Sequence, residues 1–242
     1  MVKVFLRAQP SSEGVFHLDR EFKKRLTKVM RLKSGDPLHV FTPGKRFECS
    51  VSRILPESIE LLVIQELSPP ATARIHLSLG QAIPKGEKFD WLIQKATELG
   101  VAEIFPLITE RTIVHPANLD AKLQRWNEIA DHAAAQSENP DPTLIHIPDT
   151  MPHFLAQPHP GLKVFLHERD QSVPLRQLLQ QHHNEHHITF VVGPEGGWSS
   201  EETAALEKAG FIKIHLGLRI LRSETAGLVL ASVLQYEFGD FR

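Results

Sequence analysis

The stretch from Phe190 to Ala231 constrains this chain more than any other. It holds two units built on one plan: an apolar run, a glycine-containing loop and a helix. Phe190-Val191-Val192 is short, apolar and β-prone, and reads as the end of a buried strand. Gly193-Pro194-Glu195-Gly196-Gly197 breaks it. Three glycines in five residues allow positive φ and close approach of a ligand to the backbone. Ser199 with Glu202 predicts a capping box for a helix over 200–209, and Gly210 suits the position just past its end. Phe211–Leu216 alternates and reads as a second strand. Gly217-Leu218-Arg219-Ile220-Leu221-Arg222-Ser223-Glu224 follows, and a small-residue helix runs on to about Tyr236. Units of this kind place a ligand at the carboxyl edge of a parallel sheet, where backbone N–H groups and helix N-termini converge. The first loop has no G-x-G-x-x-G pattern and the chain has no G-x-x-x-x-G-K-[ST]. A dinucleotide fingerprint and a P-loop are therefore both excluded.

The rest of the chain extends the α/β pattern upstream. Ile75–Ala82, Val101–Leu107 and Val164–Leu166 read as strands. A helix after Lys85-Gly86-Glu87-Lys88 puts Phe89, Leu92, Ile93, Ala96 and Leu99 on one face and ends at Gly100. A second, capped by Asn118 or Asp120, carries Leu119, Leu123, Trp126, Ile129, Ala130 and Ala133, with Trp126 in the core. Leu175–Gln181 is a third. Residues 139–160 contain six prolines and read as irregular. Alternating strands and helices predict a parallel sheet flanked by helices.

Residues 1–70 differ. Short strands at Val2–Leu6, 39–41, 47–51 and 59–64, with one helical stretch Glu21–Met30 (Phe22, Leu26, Val29 and Met30 on a face), predict a small β-barrel. Ser68-Pro69-Pro70-Ala71-Thr72 reads as a linker, so the expected domains are 1–70 and 73–242.

Charge separates the same two parts. The chain carries net charge -2, but residues 1–70 carry +4 and the remainder -6. Arg20–Lys33 alone has seven basic residues against Glu21, a local face suited to phosphate contacts, though from charge alone a solvated helix surface is the commoner reading. The single Cys49 rules out an internal disulfide and a cysteine-rich zinc site. No apolar run is long enough for a membrane span, and the expected location is the cytoplasm. His182, His183, His186 and His187 have helical metal-ligand spacing, but no supporting frame surrounds them, and no metal is expected.

GPEGGWSSEE followed by LGLRILRSETAG resembles the SPOUT methyltransferases, and within them the RsmE family. The resemblance runs upstream through Lys85–Val114 and more weakly into the first 70 residues. It implies methylation of a uridine N3 in small-subunit (16S) ribosomal RNA with S-adenosylmethionine as methyl donor, a homodimer, a deep trefoil knot holding the cofactor, and a PUA-like RNA-binding barrel at the N-terminus. Two departures stand out. Arg25 replaces the family's histidine in KRLTKVMR, and Glu138-Asn139-Pro140-Asp141 follows Ala135-Gln136-Ser137 where the family has an arginine.

The implied cofactor set is Leu166, His167 and Glu168, then Gly193, Pro194, Glu195 and Gly197, then Leu216, Gly217, Leu218, Ile220, Leu221, Ser223 and Ala226. The implied RNA contacts are Arg7, Lys24, Arg25, Lys28, Arg31, Lys95 and Arg111. Arg222 is the expected catalytic cation. An arginine in an apolar loop is costly to bury unless paired, and Glu195 and Glu224 are its expected partners, as catalytic carboxylates or as a structural pair. Two rivals stay open from the residues alone: a non-catalytic RNA-binding ribosome assembly factor, and an α/β enzyme whose GPEGG loop cradles the phosphate of a metabolite.

Overall fold

Alternating strand sequence dominates the N-terminal part, and the computed structural model, which describes residues 1–68, 74–112, 118–167 and 172–241, builds it as a sheet. The strands β1 (Val2–Phe5), β2 (Val15–Leu18), β3 (Pro37–Thr42), β4 (Lys45–Ile54) and β5 (Ile59–Leu67) pair in the order β1-β3-β4-β5-β2. The β1–β3 pairing is parallel and the others antiparallel; among the described residues no ladder joins β1 to β2. The period-2 pattern sends Val4, Leu38, Val40, Phe47, Cys49, Val51 and Leu61 into one core with Phe16 and Leu26. Pro43-Gly44 closes β3 onto β4, with Gly44 at φ +71.

Asp19 caps α1 (Arg20–Lys24), its carboxylate accepting from the Glu21 and Phe22 backbone N–H groups at 3.0 Å. The helix then widens into a π-helical turn, Arg25–Val29. This corrects the expected single apolar face. A π turn takes an extra residue per turn, so Leu26 stays fully buried while Val29 is turned outward, 73% exposed.

Residues Asp131–Pro142 pack with Met1–Thr72 as one unit, and Ala73–Ala130 with Thr143–Arg242 as the other. The expected second domain, 73–242, is thus interrupted. Phe5 and Phe41 cluster with Ala134 and Ala135. Arg7 forks onto Asp131 at 2.9 and 2.7 Å. Glu138, which stands after Ser137 where an arginine was the family expectation, takes Lys3 at 2.9 Å and Arg46 at 2.8 Å.

In the second unit every strand pairing is parallel. The order is β11-β13-β10-β12-β6-β7-β8, with β9 also on β7. These strands are β6 (His76–Ala82), β7 (Val101–Ile108), β8 (Leu144–Ile145), β9 (Asp149–Thr150), β10 (Leu162–Leu166), β11 (Val173–Pro174), β12 (His187–Val192) and β13 (Ile212–His215). The helices are α2 (Lys88–Glu98), α3 (Leu119–Ser137), α4 (Met151–Ala156), α5 (Leu175–Gln181), α6 (Ser200–Lys208) and α7 (Ser223–Phe238). Alternate side chains feed two cores. Leu79, Val164, Phe190 and Val192 join residues of α2 and α7. Phe165 and Val191 join Phe154 of α4 and Leu206 of α6 on the other face. Gly80 lets α4 press onto the sheet, since a Cβ there would stand 3.2 Å from Phe154 and Leu107.

Trp126 is core, edge-on to Phe89 at 4.7 Å, and its indole N–H donates to Asp90 at 3.1 Å. The proline-rich stretch corrects the irregular reading. It holds α4, with Pro152 in the first turn, where a missing N–H costs nothing. Among the described residues no helix is long and apolar enough to cross a membrane.

Candidate functional site

Because the strands all run one way, β7, β10, β12 and β13 end along the same edge, and the connections after them meet there. They enclose a cavity of about 760 Å³. Its lining takes in Leu166 and His167, the backbone and side chains of 192–198, then His215, Leu216, Gly217, Arg219–Ser223, Ala226 and, from the loop after β7, Arg111.

Specific bonds hold these connections together. The Trp198 indole N–H donates to the Leu166 carbonyl at 2.9 Å, tying the end of β10 to the glycine loop. Gly193 lies flat against that ring, where a Cβ would come within 2.9 Å of it. The Ser223 hydroxyl donates to the Gly193 carbonyl at 2.6 Å and accepts from the fully buried Gln81 amide at 2.8 Å. The end of β6, the glycine loop and the start of α7 are therefore one hydrogen-bonded chain.

The expected capping box forms at α6 and does a second job. Glu202 takes the Ser199 N–H with one oxygen at 3.0 Å and the Glu110 N–H with the other at 2.8 Å. That anchors the loop after β7, so the adjacent Arg111 reaches the Gly196 carbonyl at 2.7 Å.

The ion pairs differ from the sequence expectation. Glu195 and Glu224 do not pair with Arg222. Both face Lys88, the first residue of α2, whose ammonium lies 3.6 Å from Glu195 and 3.3 Å from Glu224. Arg222 occupies the N-cap position of α7 with extended backbone, and among the described residues neither it nor Arg219 forms an ion pair. Both arginines are exposed at the cavity rather than buried in an apolar wall, so the cost that demanded a partner does not arise. Lys88 was missed because nothing local marks it; its partners lie far along the chain.

The other sequence candidates divide. Leu166, His167, Gly193, Pro194, Glu195, Gly197, Leu216, Gly217, Ile220, Leu221, Ser223 and Ala226 all line the cavity. Leu218 is 80% exposed and lies outside that lining. Glu224 is buried behind the lining. Glu168 lies outside the described residues. Lys95 is held by Glu98 on its own helix at 2.7 Å. Lys24, Lys28 and Arg31 are exposed, while Arg25 is half-buried with its guanidinium 5.7 Å from the Phe22 ring centre.

The histidine run serves locally: His182 pairs with Glu185 at 2.8 Å, and His187 packs 5.4 Å from His76. Nearer the opposite ends of the strands, Glu103 bridges His76 at 2.6 Å and His146 at 2.7 Å. Burial pushes the Glu103 carboxyl up, but the two histidine hydrogen bonds outweigh burial and hold it below the usual carboxylate range.

A parallel sheet with two glycine loops closing one edge cavity is the setting of a known class, and residues 71–235 match the family described as the RNA methyltransferase domain. Full-length relatives narrow this. The chain is 31% identical to ribosomal RNA small subunit methyltransferase E of Buchnera aphidicola (from Acyrthosiphon pisum), over 99% of this chain and 95% of that one. It is 27% identical to the Bacillus subtilis protein of the same name, over 96% and 93%. The structure of the Neisseria gonorrhoeae ribosomal RNA small subunit methyltransferase E bound to S-adenosyl methionine superposes with a TM-score of 0.90 at 28% identity, covering all of both chains. The chain belongs to the ribosomal RNA small subunit methyltransferase E family.

Proposed function

We propose that this protein transfers a methyl group from S-adenosylmethionine to N3 of a uridine in small-subunit (16S) ribosomal RNA. One observation carries the reading: both glycine loops of the family motif wall a single cavity at the carboxyl edge of the sheet. Its volume of about 760 Å³ falls inside the roughly 300–1,000 Å³ typical of ligand pockets. The wall suits an adenosine-bearing ligand, with Leu166, Val192, Leu216 and Leu221 as apolar surface and loop backbone as the polar remainder. Gly217, at φ +112 with nothing within 4 Å of a Cβ position, leaves the second loop's backbone accessible.

When bound, S-adenosylmethionine supplies a methyl group on a sulfonium, already a good leaving group. The protein's own part is then alignment and handling of the N3 proton; orientation is worth roughly 7–11 kcal/mol in favourable cases. Neutral uracil N3 is a poor nucleophile until that proton leaves. Arg222, unpaired among the described residues and in the cavity wall, favours the resulting anion on the flanking carbonyl oxygens. Glu195, at the cavity with one carboxylate oxygen toward Lys88, accepts the proton directly or through water.

Arg111 adds a cation beside the same loop for RNA phosphate. The exposed Lys24, Lys28 and Arg31, with half-buried Arg25, form a phosphate-binding face on the N-terminal unit. Val229 and Tyr236 remain 37% and 64% exposed on α7, whose other residues are buried or half-buried, which supports pairing of two copies through that helix. Sedimentation should then give near twice 27.3 kDa; a monomer active at all concentrations would remove this element. Ribosomal RNA as substrate implies work in the cytoplasm.

Titration calorimetry with S-adenosylmethionine, followed by label transfer to purified small subunits, tests the function. Binding and transfer are expected. RNA affinity without cofactor affinity would leave the assembly-factor reading instead.

A further inference from the structure

We propose that Lys88 is a positioning residue that clips the first glycine loop to the start of α7 and so sets the shape of the cofactor cavity. The inference rests on the cofactor reading above. Lys88 opens α2, and its ammonium lies 3.6 Å from Glu195 of the glycine loop and 3.3 Å from Glu224 in the first turn of α7. Three separate elements thus meet at one cation.

Glu224 makes the cation necessary. It is 6% exposed, and one of its two carboxylate oxygens is buried without a hydrogen-bond partner. Such a carboxylate is costly to bury unless a compensating charge stands beside it. The α7 N-terminus supplies a partial positive charge. Among the described residues the cation paired with Glu224 is Lys88 from α2, which on its other side faces the like-charged Glu195 from the loop; Arg222, two residues earlier, makes no ion pair with Glu224. Remove the ammonium, and Glu195 of the cavity wall and the buried Glu224 behind the lining are left as like charges with no cation between them. The glycine loop and α7 then separate, and Gly193, Ser223 and Ala226 no longer hold their spacing in the cavity wall.

The test is Lys88→Met, which keeps length and removes charge, compared with Lys88→Arg and with the double variant Lys88→Met/Glu224→Gln. S-adenosylmethionine affinity and thermal midpoint are measured for each at pH 8. Lys88→Met should weaken cofactor binding about tenfold at pH 8, more than an exposed pair gives and less than a fully buried one. Glu224→Gln should restore affinity in the double variant, and Lys88→Arg should stay near the parent. A loss unrepaired by Glu224→Gln would mean that Lys88 acts by packing and would overturn the proposal; so would no loss at all. If Lys88→Met does not fold, the double variant must fold, and its failure to do so overturns the proposal as well. If the parent chain itself does not bind S-adenosylmethionine, the cofactor reading fails on its own. The thermal midpoints, lowered at pH 8 in Lys88→Met and recovered in the double variant, then still decide the clip.

Discussion

Gly193→Ala adds one methyl group where the glycine loop presses on the Trp198 ring. Gly193 is not at positive φ, so the backbone accepts alanine without strain, and a less flexible unfolded chain returns about 0.4–1 kcal/mol. The methyl group has nowhere to go. It would stand 2.9 Å from Cε2 and 3.2 Å from Cδ2 and Nε1 of Trp198. The indole cannot withdraw freely, because it is 8% exposed, packed with Phe165, and bonded through its N–H to the Leu166 carbonyl. Overpacking of this kind costs about 1–3 kcal/mol, and losing the indole hydrogen bond about 1 kcal/mol more. The net destabilisation is therefore ~1–3 kcal/mol. Gly193, Trp198 and Leu166 are all cavity wall, so the same displacement falls on the ligand. S-adenosylmethionine affinity should drop about 10–100-fold, the equivalent of ~1.4–2.8 kcal/mol. Urea unfolding gives the first quantity and titration calorimetry the second. Unchanged affinity in a folded variant would refute the claim that the Gly193–Trp198–Leu166 contact shapes the cofactor site.

Arg222→Ala should slow methyl transfer by ~10²–10³-fold, the scale for losing one electrostatic donor, with cofactor affinity changed far less in parallel calorimetry. Because no described carboxylate pairs with Arg222, its loss strands no charge, and the melting midpoint should hold. Affinity and rate falling together would instead make Arg222 a support of the loop. Reversing Lys24, Lys28 and Arg31 to Glu should weaken RNA binding and flatten its dependence on salt, read by filter binding at several salt concentrations. An unchanged slope with the N-terminal unit folded would count against that face.

Local signals in the sequence are legible where the physics is local. The Ser199–Glu202 capping box, Gly210 at φ +83, Gly100 at φ +74 and the apolar face of α2 all follow from residues within a few positions of one another. The two glycine loops were readable for the same reason, and parallel strand direction then brings them to one edge. What failed was not local. Glu195 and Glu224 looked like the partners of the nearby Arg222, yet the fold delivers Lys88 from another element. Glu202 reads as a cap alone, and its hold on Glu110 depends on the order of β7 in the sheet. Residues 131–142 carry no boundary signal; their place in the first unit comes from Arg7, Lys3 and Arg46, which recruit Asp131 and Glu138. Two local errors remain. Proline density hid α4, and a regular helical period was laid over a π turn at Val29.

The central claim is tested most directly by the chemical identity of the product. Small subunits lacking the modification are incubated with the purified protein and S-adenosylmethionine carrying a deuterated methyl group, and the 16S RNA is digested to nucleosides for mass spectrometry. The account predicts label in 3-methyluridine, absent when Arg222→Ala replaces the parent protein. Label on a ribose, on another base or on another ring position of uracil, or no label despite bound cofactor, would contradict it.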